Sequence, residues 1–467
     1  MLDIFHGASG ASVADACKGK LIYEGAKKVK SAVIDSRKVS EGDLFVAIVG
    51  ERTDGHLYLT SAAEKGASAV LTERIPEDLT PFENSGCSVI LCENTSLSLA
   101  YLAAEHKKEC ELLTVGVTGS VGKTTTRQFI AAVLGAKFPT HKTESNFNNA
   151  LGLPLTLLGI KEEHKAAVIE MGMSAKGEIS FLTKLTRPDI GVITVIGSSH
   201  IEHLGSREGI RDAKLEIRDG MTEDGILVLN GDEPLLSDIE NAVYVSLRNK
   251  ECPYRAENIR NDEDGMVFDA ITPDGVITDC RIPTLGEHTV LDAMYAVTVG
   301  KLAGLTDSEI KLGLSSFVGV GMRQNIVKHN GITFINDYYN ASPESIKASL
   351  SVTKGLSKDT GGRTIAVIGN VMELGERSEE LHRSVGKYVS EIGVDLLFTF
   401  GNDASYIADE ALKNGFNSDN VFVFTDIKDE KPISECVAEK LQENDCVLIK
   451  ASHGIDMGRI AKILLEN

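Results

Sequence analysis

No run of apolar residues in the chain is long enough to span a bilayer, and its start, MLDIFHGASG, lacks the basic-then-apolar pattern of a secretion signal. The expectation is a cytoplasmic protein with no membrane insertion. Positive charge is also scarce: 48 Lys and Arg stand against 68 Asp and Glu, a formal net charge of -20 at pH 7. Such a field attracts neither nucleic acid nor an anionic membrane, which excludes both as main partners and leaves only local basic clusters for phosphates. The cysteines (Cys17, Cys87, Cys92, Cys110, Cys252, Cys280, Cys436, Cys446) form no Cys-x-x-Cys pair and show no zinc-site spacing to histidine, so they read as free buried thiols. Low-complexity tracts are missing too. With 42% hydrophobic and 25% charged residues the chain is expected to fold throughout, and 467 residues exceed one core and suggest about three domains.

What is there is organised around residues 112–128, LLTVGVTGSVGKTTTRQ. An apolar, β-branched run (112–117) predicts a buried strand; a turn with Gly119 and Gly122 follows, and Lys123 with its threonines opens a helix. This is the pattern of a phosphate cradle. Small residues let backbone N–H groups face a polyphosphate, the helix N-terminus adds partial positive charge, Lys123 supplies a mobile cation, and the Thr124 hydroxyl suits Mg²⁺. The match to the P-loop pattern is imperfect: Val117 occupies the first glycine position, with Gly116 and Gly119 to either side.

In residues 1–108, short strands are predicted at 31–34 and 43–48 and helices at 57–65 and 96–107. Two polar clusters, Asp35-Ser36-Arg37 and Gly50 to His56, follow strand-like segments, where α/β folds place ligand loops; solvated loops are the plainer reading. Residues 109–321 carry the chemistry. The loop with Asn146, Asn148 and Asn149 is too rich in amides to be buried without polar partners. A strand ending at Glu170 places a carboxylate beside the phosphate loop, suited to Mg²⁺ directly or through water, with a surface acid or helix cap as the alternative. Another strand, 190–196, leads to His200, read as a metal or phosphate contact against the commoner packed histidine. Lys214 lies on a helical stretch, 212–217, and by spacing alone is a surface lysine. Residues 251–285 suggest a hairpin excursion, and 287–302 a helix. In residues 322–467 strands at 332–335, 364–368, 396–400, 421–424 and 446–449 alternate with helices, which predicts a doubly wound sheet without a G-x-G-x-x-G dinucleotide turn. Arg323 stands at the junction, placed to bring a cation to ATP.

The succession DSR, FVAIVGERTDGH, TGSVGKTTT, SNFNNALGLPLTLL, VIEMGM, SHIEHLGS, AKLEI, LNGDEP, NDYYNASPES and GNVMELGE resembles the Mur ligases over nearly the whole chain. The FNN-x-x-G-x-P and DYYNASP segments point to the member that adds a dipeptide rather than to its siblings adding single amino acids. The resemblance implies three α/β domains: a small UDP-sugar-binding domain (1–108), a central P-loop ATPase-type domain (109–321) and a Rossmann-like C-terminal domain (322–467). It implies that ATP phosphorylates the terminal carboxylate of UDP-N-acetylmuramoyl-tripeptide and that the amine of D-alanyl-D-alanine displaces phosphate from the acyl phosphate, in peptidoglycan precursor synthesis. A monomer is expected. By the same resemblance Gly119, Ser120, Gly122, Lys123, Thr124 and Thr125 hold the ATP phosphates; Thr124 and Glu170 serve one Mg²⁺ and His200 a second; and Lys214 carries a carbamate, an anion able to bind Mg²⁺, which reverses its plain reading. Lys123, Glu170, His200 and Lys214 form the catalytic set, Arg323 and Asp337 reach ATP, Asp35, Ser36 and Arg37 bind the UDP-sugar, and Asn146, Asn148 and Asn149 lie near substrate.

Several positions depart from the family pattern: Thr289 and Asp292 where Asn is usual near adenine, Ser342, Asn370, and His453 in place of Arg. Thr289 and Asp292 leave base recognition open. A related amide ligase with another acid and amine, or a P-loop protein that hydrolyses ATP without ligating, are the competing readings.

Overall fold

The computed structural model describes residues 4, 6–50, 53–262, 265–319 and 321–466; Glu51 and Arg52 of the second polar cluster lie outside the described residues. Three sheets follow one another along the chain. The first has five strands in the spatial order Lys20–Tyr23, Ser88–Leu91, Ala69–Thr72, Asp43–Val46, Ser31–Val33, parallel except for the first pair. Among the described residues of this part four α-helices stand, Gly10–Ala16, Leu59–Glu64, Thr80–Ser85 and Thr95–Lys108, where the sequence suggests one or two. Three are only one or two turns long, too short for an apolar periodicity to register.

The central sheet has nine strands, in the order Gly275–Ile282, Gly265–Thr272, Tyr254–Asp262, Ala242–Ser246, Ile226–Asn230, Ile190–Ile193, Leu113–Thr118, Ala166–Glu170, Thr140–Lys142. Its inner strands are apolar and buried end to end, as a parallel sheet covered on both faces requires. The excursion expected at 251–285 is a three-stranded antiparallel extension of this sheet. Glu287–Leu302 is a helix as expected, packed on Lys123–Gly135.

Two elements differ from expectation for a reason that bears on the site. The strand predicted over 190–196 ends at Ile193, because the following residues bond the glycine turn instead of the ladder: Thr194 Oγ1 donates to Val121 O (2.5 Å) and Ser120 N to Val195 O (2.7 Å). The helix predicted at 212–217 runs Arg207–Leu215, started by Ser206, whose hydroxyl accepts from Gly209 N, and it tightens to 3₁₀ geometry over Glu216–Gly220.

The third sheet, Asn325–His329, Ile332–Asn336, Cys446–Lys450, Thr364–Gly369, Leu396–Phe400, Val421–Phe424, is parallel apart from its first hairpin. Helices such as Pro343–Thr360, opened by a Ser342 capping box, and Ser378–Ile392 flank it. All eight cysteines are free, and burial pushes the Cys17, Cys87 and Cys280 thiols up to about 12. Among the described residues no helix is long and apolar enough to cross a membrane.

Candidate active site

The glycine turn is built by the close approach of its neighbours. Gly119 (φ 149°) and Gly122 (φ 86°) both take conformations that side chains disfavour. A Cβ on Gly119 would strike the Thr194 hydroxyl, and one on Gly122 would lie 2.6 Å from Asp292 Oδ1. Gly122→Ala should therefore cost at least tenfold in nucleotide affinity while leaving the far-UV spectrum unchanged, read by calorimetric titration with ADP. Lys123 opens the helix Lys123–Gly135 and folds back on the turn, its Nζ donating to Gly119 O (2.7 Å). Burial holds the Lys123 ammonium below its usual range, with Glu170 opposing.

Glu170 ends its strand directly beside the phosphate-loop strand, paired in register with Val117. It is 2% exposed, so the surface-acid alternative is wrong. Asn148 Nδ2 donates to Oε1 (2.8 Å), and Oε2 lies 3.1 Å from Arg127 Nη1 of a guanidinium that is itself 1% exposed. Oε2 has no hydrogen bond of good geometry among the described residues. One buried carboxylate oxygen thus keeps free coordinating capacity beside the turn.

His200 follows the next strand in a left-handed conformation (φ 63°), with Nδ1 2.5 Å from Glu373 Oε2 of the C-terminal part. Burial lowers its pKa, Glu373 opposes, and Lys123 and Lys214 add to the lowering. Lys214 corrects the plain reading of a surface lysine. Its helix turns it inward to 2% exposure, and among the described residues its side chain has no hydrogen bond or ion pair. Burial first, then the charge of Lys123, push its ammonium well below the usual range. Two lysines and a histidine whose charges reach one another, with Glu373 on the histidine and Glu170 shared with Arg127, make a cluster short of negative charge.

The opposite wall comes from the C-terminal part. The Arg323 guanidinium lies 4.5 Å from the centre of the Tyr339 ring. Asp337 Oδ2 accepts from Lys450 Nζ and Ser349 Oγ (2.6 Å each), so the carboxylate is fixed as well as near the site. His288 is pushed down to about 4, by burial against the opposing charge of Asp337. Between the walls lies a cleft of about 1620 Å³. Ser120, Gly122, Lys123, Thr124 and Thr125 line it on one side. Asn146, Asn148, Asn149, Glu170 and His200 line it as well, and Arg323 and Asp337 face them. Asn149 also has a local task, its Oδ1 accepting from Leu151 N and Gly152 N.

Asp35, Ser36 and Arg37 are not among the lining residues. They form a surface turn closed on itself: Arg37 Nε and Nη2 each donate to Asp35 at 2.9 Å, which lowers the Asp35 carboxyl to about 2, and Ser36 O accepts from Lys65 Nζ. Arg127, Glu373 and Lys450 also belong to the site, with no role expected for them from the sequence; Asp292, expected only as a departure from an amide near adenine, joins them. Arg127 was the most accessible of these, since it lies four residues after Lys123 on one helix and so shares its face.

Among the described residues no three His, Cys, Asp or Glu side chains meet to hold a metal ion by themselves. The donors that do meet here are a threonine hydroxyl, one free carboxylate oxygen and an imidazole, which fit a hard cation that also takes oxygens from a polyphosphate.

Comparison with known proteins gives three matching family models: "Mur ligase family, catalytic domain" over residues 28–107, "Mur ligase middle domain" over 117–300 and "Mur ligase, glutamate ligase domain" over 322–453. The UDP-N-acetylmuramoyl-tripeptide--D-alanyl-D-alanine ligase of Bacillus subtilis (strain 168) is 40% identical over 98% of both chains. The enzyme of the same name from Escherichia coli (strain K12) is 30% identical over 98% of both. The crystal structure of MurF from Acinetobacter baumannii superposes with a TM-score of 0.87 at 27% identity, over 98% of this chain and 99% of that one. MurF ligase from Thermotoga maritima in complex with ADP gives 0.81 at 28% identity, over 93% and 97%.

Proposed function

Because the chain belongs to the Mur ligase family, we infer that it is the ATP-dependent ligase that joins D-alanyl-D-alanine to UDP-N-acetylmuramoyl-tripeptide in peptidoglycan precursor synthesis. ATP phosphorylates the terminal carboxylate of the tripeptide and leaves as ADP; the amine of the dipeptide then attacks the acyl carbon and phosphate departs. The observation that carries the reading is the meeting of Lys123, Glu170, His200 and the buried Lys214 around the glycine turn. Both reactants are negative, so cationic groups must offset their repulsion where the phosphoryl group moves.

The residues divide the task. The backbone of Gly119, Ser120 and Gly122, with Lys123, Thr124 and Thr125, cradles the ATP phosphates, and Arg323 and Asp337 meet the nucleotide from the C-terminal side. Asn148 and Arg127 orient Glu170, and Glu373 orients His200. Thr124, Glu170 and His200 are the residues that would hold Mg²⁺, two ions in all, whose positive charge would stabilise the phosphate oxygens. Lys214 is carried as a carbamate. A neutral, buried amine attacks CO₂ through its Nζ lone pair, forming the N–C bond and releasing a proton; the resulting anion replaces repulsion from Lys123 by attraction and supplies the missing negative charge. Residues 1–108, with Asp35, Ser36 and Arg37, receive the UDP-sugar, residues 109–321 bind ATP, and residues 322–467 close the cleft, with Asn146, Asn148 and Asn149 near the acyl acceptor. The protein acts as a cytoplasmic monomer.

The test is phosphate release from ATP with each reactant omitted in turn. Release is expected only with both UDP-N-acetylmuramoyl-tripeptide and D-alanyl-D-alanine present; equal release without the dipeptide would remove the ligase assignment.

A further inference from the structure

Asp292 lies directly against the glycine turn. It projects from the helix Glu287–Leu302 toward the helix Lys123–Gly135, is 5% exposed, and still contributes to the wall of the cleft. Oδ1 accepts from Thr126 Oγ1 (2.8 Å) and lies 2.6 Å from where a Cβ on Gly122 would be. Oδ2 has no hydrogen-bond donor among the described residues, and no cation pairs with the group. An unpaired carboxylate in this position would face the polyphosphate that the turn exists to bind, like charge against like, at a site only 5% exposed and so weakly screened. The geometry assigns the opposite state: we propose that Asp292 works as a neutral carboxylic acid, its Oδ1 accepting from Thr126 and its Oδ2–H offered to an acceptor atom of the bound nucleotide, so that nucleotide affinity depends on this proton. This rests on the reading of the cleft as the ATP site.

The surroundings agree. Burial raises the Asp292 carboxyl to about 8, with the Thr126 hydrogen bond and Arg323 opposing. The charged and titratable groups around it are few. Lys123, from the adjoining helix, and Arg323 share the cleft wall, as does His288 one turn back on its own helix. Tyr295, on the same helix, is buried, and Asp232 and Glu233 at the end of the strand Ile226–Asn230 act on Tyr295. None of them pairs with Asp292. The protonated form binds, so affinity is full below the folded-state pKa and is lost as pH rises through about 8. An amide in place of the acid has the same shape, keeps an acceptor for Thr126 and a donor toward the cleft, and does not ionise.

The experiment is calorimetric titration of the full-length protein with ADP, without reactants, between pH 6.5 and 9.5, for the wild type and Asp292→Asn. The expected result is a wild-type Kd that weakens about tenfold from pH 7 to pH 9, against a flat profile in D292N, which binds at pH 9 at least as tightly as the wild type at pH 7. A wild-type profile as flat as that of D292N, or a D292N profile that weakens in parallel with the wild type, overturns the proposal while the ATP-site reading stands. Absence of ADP binding at every pH overturns both. Infrared pH titration of the wild type removes any dependence on how the variant folds: a protonated-carboxyl band near neutral pH that vanishes above pH 8 is expected, and a spectrum with carboxylate bands only at pH 7 overturns it.

Discussion

Lys214→Ala is expected to be folded and nearly inactive, with kcat reduced on the order of 10³-fold, and to regain part of its activity when a small carboxylate such as acetate is added. An ammonium held at 2% exposure beside a second lysine, with no partner among the described residues, is expensive; a neutral amine is less so, and a carbamate turns the position into a partner for the cations around it. Removing the side chain leaves a slot of about the size of the lost chain, opening toward Lys123. A carboxylate diffusing into it restores negative charge but not the tether, hence only partial recovery. The thermal midpoint should hold or rise, because a poorly solvated group has gone. Full activity of the variant without additive would take the carbamate out of the mechanism, and inactivity with a lowered midpoint would make Lys214 structural. A control with Lys214→Arg should stay inactive with or without acetate, since a guanidinium cannot be carbamylated and fills the slot.

Glu170→Ala should be the most damaging single change, because it removes two things together. The variant loses the coordinating oxygen beside the phosphate turn, and it strands Arg127, a guanidinium 1% exposed whose remaining hydrogen bond is a long one to Ser145 O (3.3 Å). Leaving one member of a buried ion pair without its partner costs about 3–5 kcal/mol. Urea unfolding should show a loss of that size, along with no measurable ligation. The double variant Arg127→Met, Glu170→Ala separates the effects: stability should return to within about 1 kcal/mol of the wild type, since a flexible apolar chain replaces the unpaired charge, while activity should not return. If the double variant is as unstable as Glu170→Ala, the pair does not hold this part of the fold. If it is active, Glu170 is not part of the chemistry.

Reading by local pattern succeeded where one residue determines its own surroundings. The phosphate turn is legible because two glycines, a lysine and threonines stand where a strand must give way to a helix, and the structure puts Gly119 and Gly122 at positive φ with neighbours that leave no room for a Cβ. Glu170 is legible for a similar reason: an apolar run that ends in one acid leaves it at the strand tip, and a parallel sheet sets strand tips side by side. Lys214 is the counter-example. Its spacing on an amphipathic helix suggests solvent, and only the family resemblance suggested otherwise; the helix packs so that this lysine faces Lys123, which no local pattern encodes. The same holds for Asp292. In sequence it is a departure from an amide near adenine, whereas in the fold its distinguishing contact is with Gly122, 170 positions away.

The sequence by itself determined the α/β alternation, the phosphate turn and the position of each carboxylate and amide along the chain, because these depend on backbone preferences and apolar period within a few residues. The tertiary structure alone decided which charges are neutralised. Whether an acid is paired, as Glu170 is with Arg127, or left without a cation, as Asp292 is, follows from desolvation and from groups brought together from elements far apart in the chain, and both fall off within a few ångströms of space rather than of sequence.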